Sequence, residues 1–302
     1  MLRFGLCCLF HEEPIKFRTT TAKFTGKLTA VEQDRKLSDL CLHNAKSLLA
    51  AIRFCKQNKI GAFRVNSRIL PLKTHPELGY KTEQLSAGAE IVKLFRECGR
   101  EAARLNIRLS FHPDQFTLLS SLDPEITRKS ILELRYQAEV AEWIGADVIN
   151  IHGGGAYGDK ASALKRVGEA VEKLDGAIRK RLTFENDDRV YTPSDLLSLC
   201  QEHGIPLVYD VHHHRCLPDG VSIEKITTEA LSTWNREPLF HISSPKEGWD
   251  SARPGKHHDF ININDFPECW QKLDVTIDIE AKAKEIAVIR MIKELRAFSS
   301  DS

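Results

Sequence analysis

Short β-rich apolar runs alternate with longer helical segments along the whole chain. The apolar runs predict buried strands, and the segments between them predict amphipathic helices. We predict strands at residues 2–7, 62–66, 107–112, 148–152, 182–185, 206–211, 239–242 and 275–280. We predict helices at residues 40–58, 86–105, 124–144, 160–180, 193–203, 223–234, 266–273 and 281–297.

Eight strands that are each followed by a helix predict a (β/α)8 TIM barrel. The near-continuous apolar runs at 147–151 and 205–209 are typical of parallel strands that are buried on both faces. The competing fold is a doubly wound open sheet, which often carries a Gly-rich turn after its first strand. Here Cys7, Cys8, Leu9 and Phe10 stand at that place without a GxGxxG motif. We therefore expect one barrel domain spanning residues 1–302.

Composition and charge exclude several classes of protein. The 43 basic and 42 acidic residues leave a net charge of +1, which indicates neither a strongly basic nucleic-acid binder nor an acidic disordered chain. The longest apolar runs are too short for a membrane span, and the N-terminal run is too short for a signal peptide. The eight cysteines form no CxxC pair and suit reduced, buried thiols. We expect a cytoplasmic protein without a membrane partner.

The 12 histidines are unevenly distributed, and most follow the predicted strands. Strands three to eight each bring a His, Asp or Glu to the end at which barrel sites are built. Two more histidines lie in the loops after strands two and seven. The resulting set is His75, His112, His152, Glu185, Asp210, His213, His241, His257 and Glu280. Within the triple 212–214 we favour His213, because an Asp-x-x-His turn lets Asp210 and His213 reach the same place.

This set of nine residues predicts bound metal. A single strand-end histidine is more often a hydrogen-bonded structural residue, but clustered carboxylates repel one another unless a cation lies among them. A mixed His/carboxylate set suits Zn²⁺, Mn²⁺ or Fe²⁺ better than Ca²⁺ or Mg²⁺. Because one metal takes three or four protein ligands, nine ligands imply two or three ions.

Two motifs carry a resemblance to a known family. They are His-Pro-Asp-Gln-Phe at 112–116 and His-Gly-Gly-Gly-Ala-Tyr-Gly-Asp-Lys at 152–160, and further matches extend over nearly the whole chain. The chain resembles the UV damage endonucleases, DNA repair nucleases whose barrel and three-metal site are similar to those of endonuclease-four-type abasic-site nucleases. The resemblance implies that the nine residues are the metal ligands, that Mn²⁺ is favoured with Zn²⁺ as the second choice, and that Glu185 bridges two ions. It also implies that Gln115 probes the lesion with Phe116 beside it.

Three positions depart from the family pattern. Leu239 stands where the family usually has a carboxylated lysine, with Lys246 and Lys282 as nearby candidates to compensate. Phe116 replaces a tyrosine, and Leu6 replaces a second probing tyrosine placed early after strand one. These changes affect the expected lesion preference more than the expected phosphodiester chemistry.

The hypothesis that follows is metal-assisted hydrolysis of damaged double-stranded DNA by a monomer. Metals would bind the phosphate oxygens, activate a water and stabilise the leaving 3′ oxygen, with Glu185, Asp210 and Glu280 as the catalytic carboxylates. The family cuts on the 5′ side of the damage. Arg64, Lys160, Arg68 and Arg253 are candidate phosphate contacts. The alternatives are a metal-dependent sugar isomerase-like barrel and a damage-binding homologue with altered or lost lesion specificity.

Overall fold

A computed structural model describes residues 2–300, with side chains described to residue 297. Its eight parallel strands form a closed barrel in sequence order. They are β1 (Arg3–Cys7), β2 (Ala62–Val65), β3 (Arg108–Phe111), β4 (Val148–His152), β5 (Leu182–Glu185), β6 (Leu207–Asp210), β7 (Leu239–Ile242) and β8 (Thr276–Ile279). The predicted (β/α)8 TIM barrel is therefore confirmed, and each predicted strand agrees with the structure to within one residue at either end.

The helices surround the barrel. They are α1 (Ala22–Thr25), α2 (Ala30–Gln57), α3 (Gly88–Leu105), α4 (Pro124–Ile144), α5 (Lys160–Glu172), α6 (Gly176–Arg179), α7 (Pro193–His203), α8 (Val211–Cys216), α9 (Ile223–Ser232) and α10 (Lys284–Ser300). Short 3₁₀ turns span Thr82–Gln84, Ile263–Asp265 and Glu268–Trp270. None of the helices in the described part of the chain combines the length and apolar character that a membrane crossing requires.

Several predicted helix boundaries were wrong, each for a local reason. Helix α2 begins ten residues before the predicted start at 40, because Thr29 and Glu32 form a capping box upstream of the apolar stripe. The segment predicted as one helix at 160–180 breaks after Glu172 into α5 and α6. The helix predicted at 266–273 is replaced by one 3₁₀ turn, Glu268–Trp270.

Two apolar clusters stabilise the barrel from its two sides. The large cluster packs the helices against the outer faces of the strands. A small second cluster joins Val148, Val208 and Leu239. Because β4 and β6 are not neighbouring strands, Val148 and Val208 meet inside the barrel. Leu239 thus forms part of an apolar layer that lies two residues below His241 on β7.

Candidate metal centre

The carboxyl ends of the eight strands, called the mouth here, hold two groups of possible metal ligands. The first group is His112, His152 and Glu185, whose donor atoms all lie within 4.8 Å of one another. Strand register accounts for part of this arrangement, because His152 on β4 pairs directly with Glu185 on β5. The Nε2 of His112 lies 3.0 Å from the Glu185 Oε2.

The second group is Glu185, Asp210 and His213. Strand β6 ends at Asp210, and helix α8 starts at the next residue. The Asp210 Oδ1 accepts a hydrogen bond of 2.8 Å from the backbone amide of His213, so the carboxylate caps the helix that carries the histidine. This cap explains how Asp-x-x-His brings both side chains to one place, as predicted. Glu185 belongs to both groups and lies at the centre of the cluster.

A third set of contacts joins β7, β8 and the loop after β7 to the same centre. The His241 Nδ1 lies 3.1 Å from Glu185 Oε1 and 3.6 Å from Glu280 Oε1. The His257 Nδ1 lies 3.7 Å from Glu280 Oε2. Eight of the nine predicted ligands are therefore connected through Glu185 and Glu280: His112, His152, Glu185, Asp210, His213, His241, His257 and Glu280.

His75 is placed differently from the other eight. It lies half-buried in the loop after β2, and its Nδ1 accepts hydrogen bonds of 3.2 Å from the backbone amides of Glu77 and Leu78. The described residues offer no three-donor group that includes it. Its role as a ligand stays a prediction.

The carboxylates and histidines of the centre shift one another's pKa values. Burial alone would raise the pKa of Glu185, but His241 and His152 hold it well below its ordinary value. Burial would lower the pKa of His213, yet the carboxylates of Asp210 and Glu185 raise it to about 9. The pKa of His241 is likewise raised to about 9, against the effect of burial, by Glu185 and Glu280. Without a metal, protons therefore supply the positive charge that the carboxylates require.

Buried atoms without hydrogen-bond partners test whether a metal suits this place. Among the predicted ligands they include the His152 Nδ1 and the Asp210 Oδ2. A buried polar atom that lacks a partner costs about 1–3 kcal/mol. Imidazole nitrogens and carboxylate oxygens at this density are the donors that divalent transition metals take. The residues present fit a metal centre.

Candidate DNA-contacting residues lie at three places: the loop after β3, the start of α5 and the inside of the mouth. Gln115 and Phe116 lie in the loop after β3, where both are exposed, Phe116 by 74%. Lys160 begins α5 beside the mouth and pairs with Asp195 at 2.8 Å. Arg64 lies inside the mouth with an 11% exposed side chain, and its Nη1 is 2.6 Å from Glu280 Oε1. Any contact of Arg64 with phosphate would compete with this ion pair.

The structure also decides where the departures from the family pattern lie. Leu6 lies within β1, as the predicted strand at 2–7 requires, and it is completely buried, which corrects its assignment to the surface that would read a lesion. Leu239 packs in the apolar layer of the barrel. Both Lys246 and Lys282 are exposed, so neither replaces a buried lysine at that layer.

Sequence reasoning missed two buried polar residues beneath the mouth. Asn150, two residues before His152 on β4, donates a short hydrogen bond to Glu185 Oε2 and accepts one of 2.9 Å from Thr183. Asp278, two residues before Glu280 on β8, is completely buried. Residues two apart on a strand share a face, and this spacing was the signal available in the sequence.

Fold and site together define a (β/α)8 barrel that carries a His/carboxylate centre at its C-terminal mouth. Residues 2–300 match the family described as UV-endonuclease UvdE. The UV DNA damage endonuclease of Bacillus thuringiensis subsp. konkukian (strain 97-27) is 36% identical over 307 residues, covering 98% of this chain and 95% of the relative. The chain belongs to the UvdE family of endonucleases.

Solved structures agree with this placement. The crystal structure of SacUVDE superposes with a TM-score of 0.87 at 28% identity and covers 99% of both chains. Endonuclease IV from Thermus thermophilus has a TM-score of 0.63 at 15% identity, with 99% of this chain and 100% of that chain covered. At that identity, the likeness to endonuclease IV concerns the barrel fold alone.

Proposed function

We propose that this protein is a DNA repair endonuclease that hydrolyses the phosphodiester on the 5′ side of a UV photolesion or another damaged site in double-stranded DNA. The observation that carries the proposal is the Glu185-centred cluster of ligand groups at the mouth of a barrel whose whole length matches the UvdE family. We further propose that the enzyme acts as a cytoplasmic monomer.

Two or three divalent metals complete this site in the proposal. His112, His152, Glu185, Asp210, His213, His241, His257 and Glu280 would hold them, with His75 as the ninth ligand. Mn²⁺ is the favoured ion and Zn²⁺ the second, since imidazole and carboxylate ligands accept both. When bound, such ions supply Lewis-acid stabilisation of phosphate charge and lower the pKa of water.

The chain's own residues position these ligands and the DNA. Glu185 is held by the amide of Asn150 and therefore keeps one orientation between the two ligand groups. Arg64 holds Glu280 through their ion pair. Gln115 and Phe116 project from the loop after β3, where a side chain can enter a duplex at a weakly stacked, damaged pair. Lys160 supplies a positive charge near the mouth.

An incision assay tests the proposal directly. Purified protein with Mn²⁺ is incubated with UV-irradiated, abasic and undamaged duplexes that are labelled at one 5′ end. We expect nicks on the 5′ side of the damage, with a 3′ hydroxyl on the labelled product. Absence of incision on all three duplexes, together with turnover of a keto or aldo sugar, would contradict the proposed nuclease activity and indicate an isomerase-like activity instead. Binding of damaged duplex without incision would leave only a recognition function.

A further inference from the structure

Asp278 is a buried carboxylate that the proposed ligand set does not use. It lies on β8 opposite His241 of β7 in the strand register, and both side chains are completely buried. Neither of its oxygens has a hydrogen-bond partner. An unpaired buried carboxylate destabilises the folded state, so we expect Asp278 to have a partner that offsets this cost.

The barrel makes room for this carboxylate on its other side. Gly5 of β1 pairs in register with Asp278, and a β-carbon at Gly5 would collide with Asp278 Oδ1. A glycine is the one residue that lets the side chain of Asp278 lie across β1 at this level. The carboxylate is thereby directed towards two nitrogen groups, which are the His241 imidazole and the Arg64 guanidinium.

The two nitrogen groups differ in whether they already have another partner. The Arg64 Nε lies 3.9 Å from Asp278 Oδ2, while Arg64 already forms a close ion pair with Glu280. The His241 Nε2 lies 3.7 Å from the same oxygen and, like the carboxylate, has no hydrogen-bond partner. The opposite ring nitrogen, Nδ1, faces Glu185 and Glu280. His241 therefore stands between the ligand cluster and Asp278.

We infer that Asp278 is a positioning residue that accepts a hydrogen bond from His241 Nε2–H and so presents His241 Nδ1 to the metal. This inference rests on the proposed metal-dependent function. Metal-bound histidines usually donate their second ring N–H to a carboxylate or carbonyl, which fixes the tautomer and orients the ring. Closing the present 3.7 Å separation to a hydrogen bond of about 2.9 Å requires only a small movement of either side chain.

The first experiment measures metal affinity. Mn²⁺ binding to the wild type and to Asp278→Asn is followed by titration calorimetry, with bound metal counted by elemental analysis. We expect Asp278→Asn to weaken Mn²⁺ binding by about 10- to 100-fold at the site to which His241 contributes. This is the usual loss of metal affinity when such a carboxylate is removed. Unchanged affinity in a folded variant would overturn the inference and leave Asp278 as a counter-charge to Arg64.

A matched control comes from a second carboxylate–histidine pair. The His214 Nε2 lies 2.8 Å from Asp219 Oδ1, and the other nitrogen of that ring lies 2.7 Å from the Tyr209 hydroxyl instead of facing the ligand cluster. Asp219→Asn should therefore reduce thermal stability without changing the Mn²⁺ affinity. An equal loss of affinity in both variants would mean that Asp278→Asn acts by general destabilisation, and it would contradict a specific role.

Two further measurements separate a specific effect from a folding defect. In the His241→Gln background, Asp278→Asn should have little additional effect on metal affinity, because coupled residues are not additive. Full additivity would overturn the inference. If Asp278→Asn does not fold, ¹⁵N-histidine NMR of the wild type with Zn²⁺ decides the question. We expect the His241 proton on Nε2, and a proton on Nδ1 would contradict the inference.

These outcomes stay separate from those of the incision assay. A protein that nicks UV-irradiated DNA but whose metal affinity does not depend on Asp278 refutes only the positioning role. A protein whose metal affinity depends on Asp278 but that nicks no damaged DNA refutes only the proposed substrate.

Discussion

The charged side chains at the two ends of the barrel differ in how they are partnered. At the amino ends of the strands, Arg108 donates to both oxygens of Asp147, at 3.1 and 2.9 Å, and to Thr276 Oγ1 at 3.0 Å. Arg236 beside this pair forms no hydrogen bond through Nε, but that atom lies 3.7 Å from Asp147 Oδ2. At the mouth, the His152 Nδ1 and the Asp210 Oδ2 are buried atoms without hydrogen-bond partners. The paired charges at the amino ends stabilise the fold, whereas the unpartnered atoms at the mouth require a ligand.

This difference explains why net charge was a poor guide to function. The balance of +1 for the whole chain suggests no affinity for nucleic acid. The acidic residues at the mouth, however, are counted in that balance although the proposed metals would neutralise them. Unpartnered ligand atoms at one place are therefore more informative about function than the net charge of the chain. Variants at the two ends of the barrel test this contrast.

The largest effect is expected for Glu185→Ala at the mouth. Removing the carboxylate shared by both ligand groups should reduce incision of UV-irradiated duplex by about 100- to 1,000-fold, the scale of losing a principal electrostatic group in a catalytic site. Incision kinetics and bound Mn²⁺ are measured together. Activity that survives in this variant would rule out the proposed bridging role of Glu185.

The next effect concerns the exposed loop after β3 rather than the buried cluster. Phe116→Ala should weaken binding of damaged duplex by about 5- to 150-fold, since stacking of an aromatic side chain on a base contributes about 1–3 kcal/mol. Gln115→Ala should act in the same direction. Binding is measured by fluorescence anisotropy, with bound Mn²⁺ expected to stay unchanged. Val31→Ala, at another highly exposed apolar residue, is the control. Loss of metal in the Phe116 variant would make the loop structural.

At the opposite end, Asp147→Asn should affect stability alone. The Arg108 side chain is 9% exposed and Asp147 is 37% exposed. We therefore expect a decrease of about 1–2 kcal/mol in the free energy of unfolding. Urea denaturation measures this change, while Mn²⁺ affinity and incision per folded molecule should equal those of the wild type. A weaker metal affinity in this variant would remove the distinction between the two ends.

The smallest effect is a dependence of metal-free stability on pH. The pKa values of His213 and His241 are raised to about 9 from 6.5. A raised folded pKa contributes stability below the unfolded value, and this stability is lost as pH rises through the folded value. Thermal unfolding in EDTA should therefore occur at lower temperature as pH rises from 6.5 to about 9.

Metal should reverse this trend, because metal binding requires neutral histidines and strengthens as pH rises. The same melting experiment with Mn²⁺ in place of EDTA measures the reversal. His241→Gln is an internal control that should lose part of the pH dependence. A metal-free protein that becomes more stable over this pH range would contradict the assigned contacts.

The sequence predicted the strands better than the helices, for a physical reason. Apolar runs that are buried on both faces leave a strong local signal, so β4 and β5 were predicted with their observed bounds. Helix α2 extends beyond its apolar stripe, because its start is stabilised by the Thr29–Glu32 capping box while its buried residues begin only at Leu37. The convergence of eight of the nine predicted ligand residues was predictable because strand ends meet at one end of a barrel. The pairing of Arg64 with Glu280 and of His241 with Asp278 depends on register and packing across the barrel, which no local pattern contains.

Binding of divalent metal by the clustered nitrogen and oxygen ligand atoms at the mouth is the property on which the proposed activity depends most. The direct test is the number of Mn²⁺ ions bound per chain after metal loading and exhaustive dialysis, measured by elemental analysis. We expect two or three ions for the wild type and for Asp147→Asn, and at least one fewer for Glu185→Ala. A wild-type protein that retains no ion, or a Glu185→Ala protein that retains them all, would contradict this expectation.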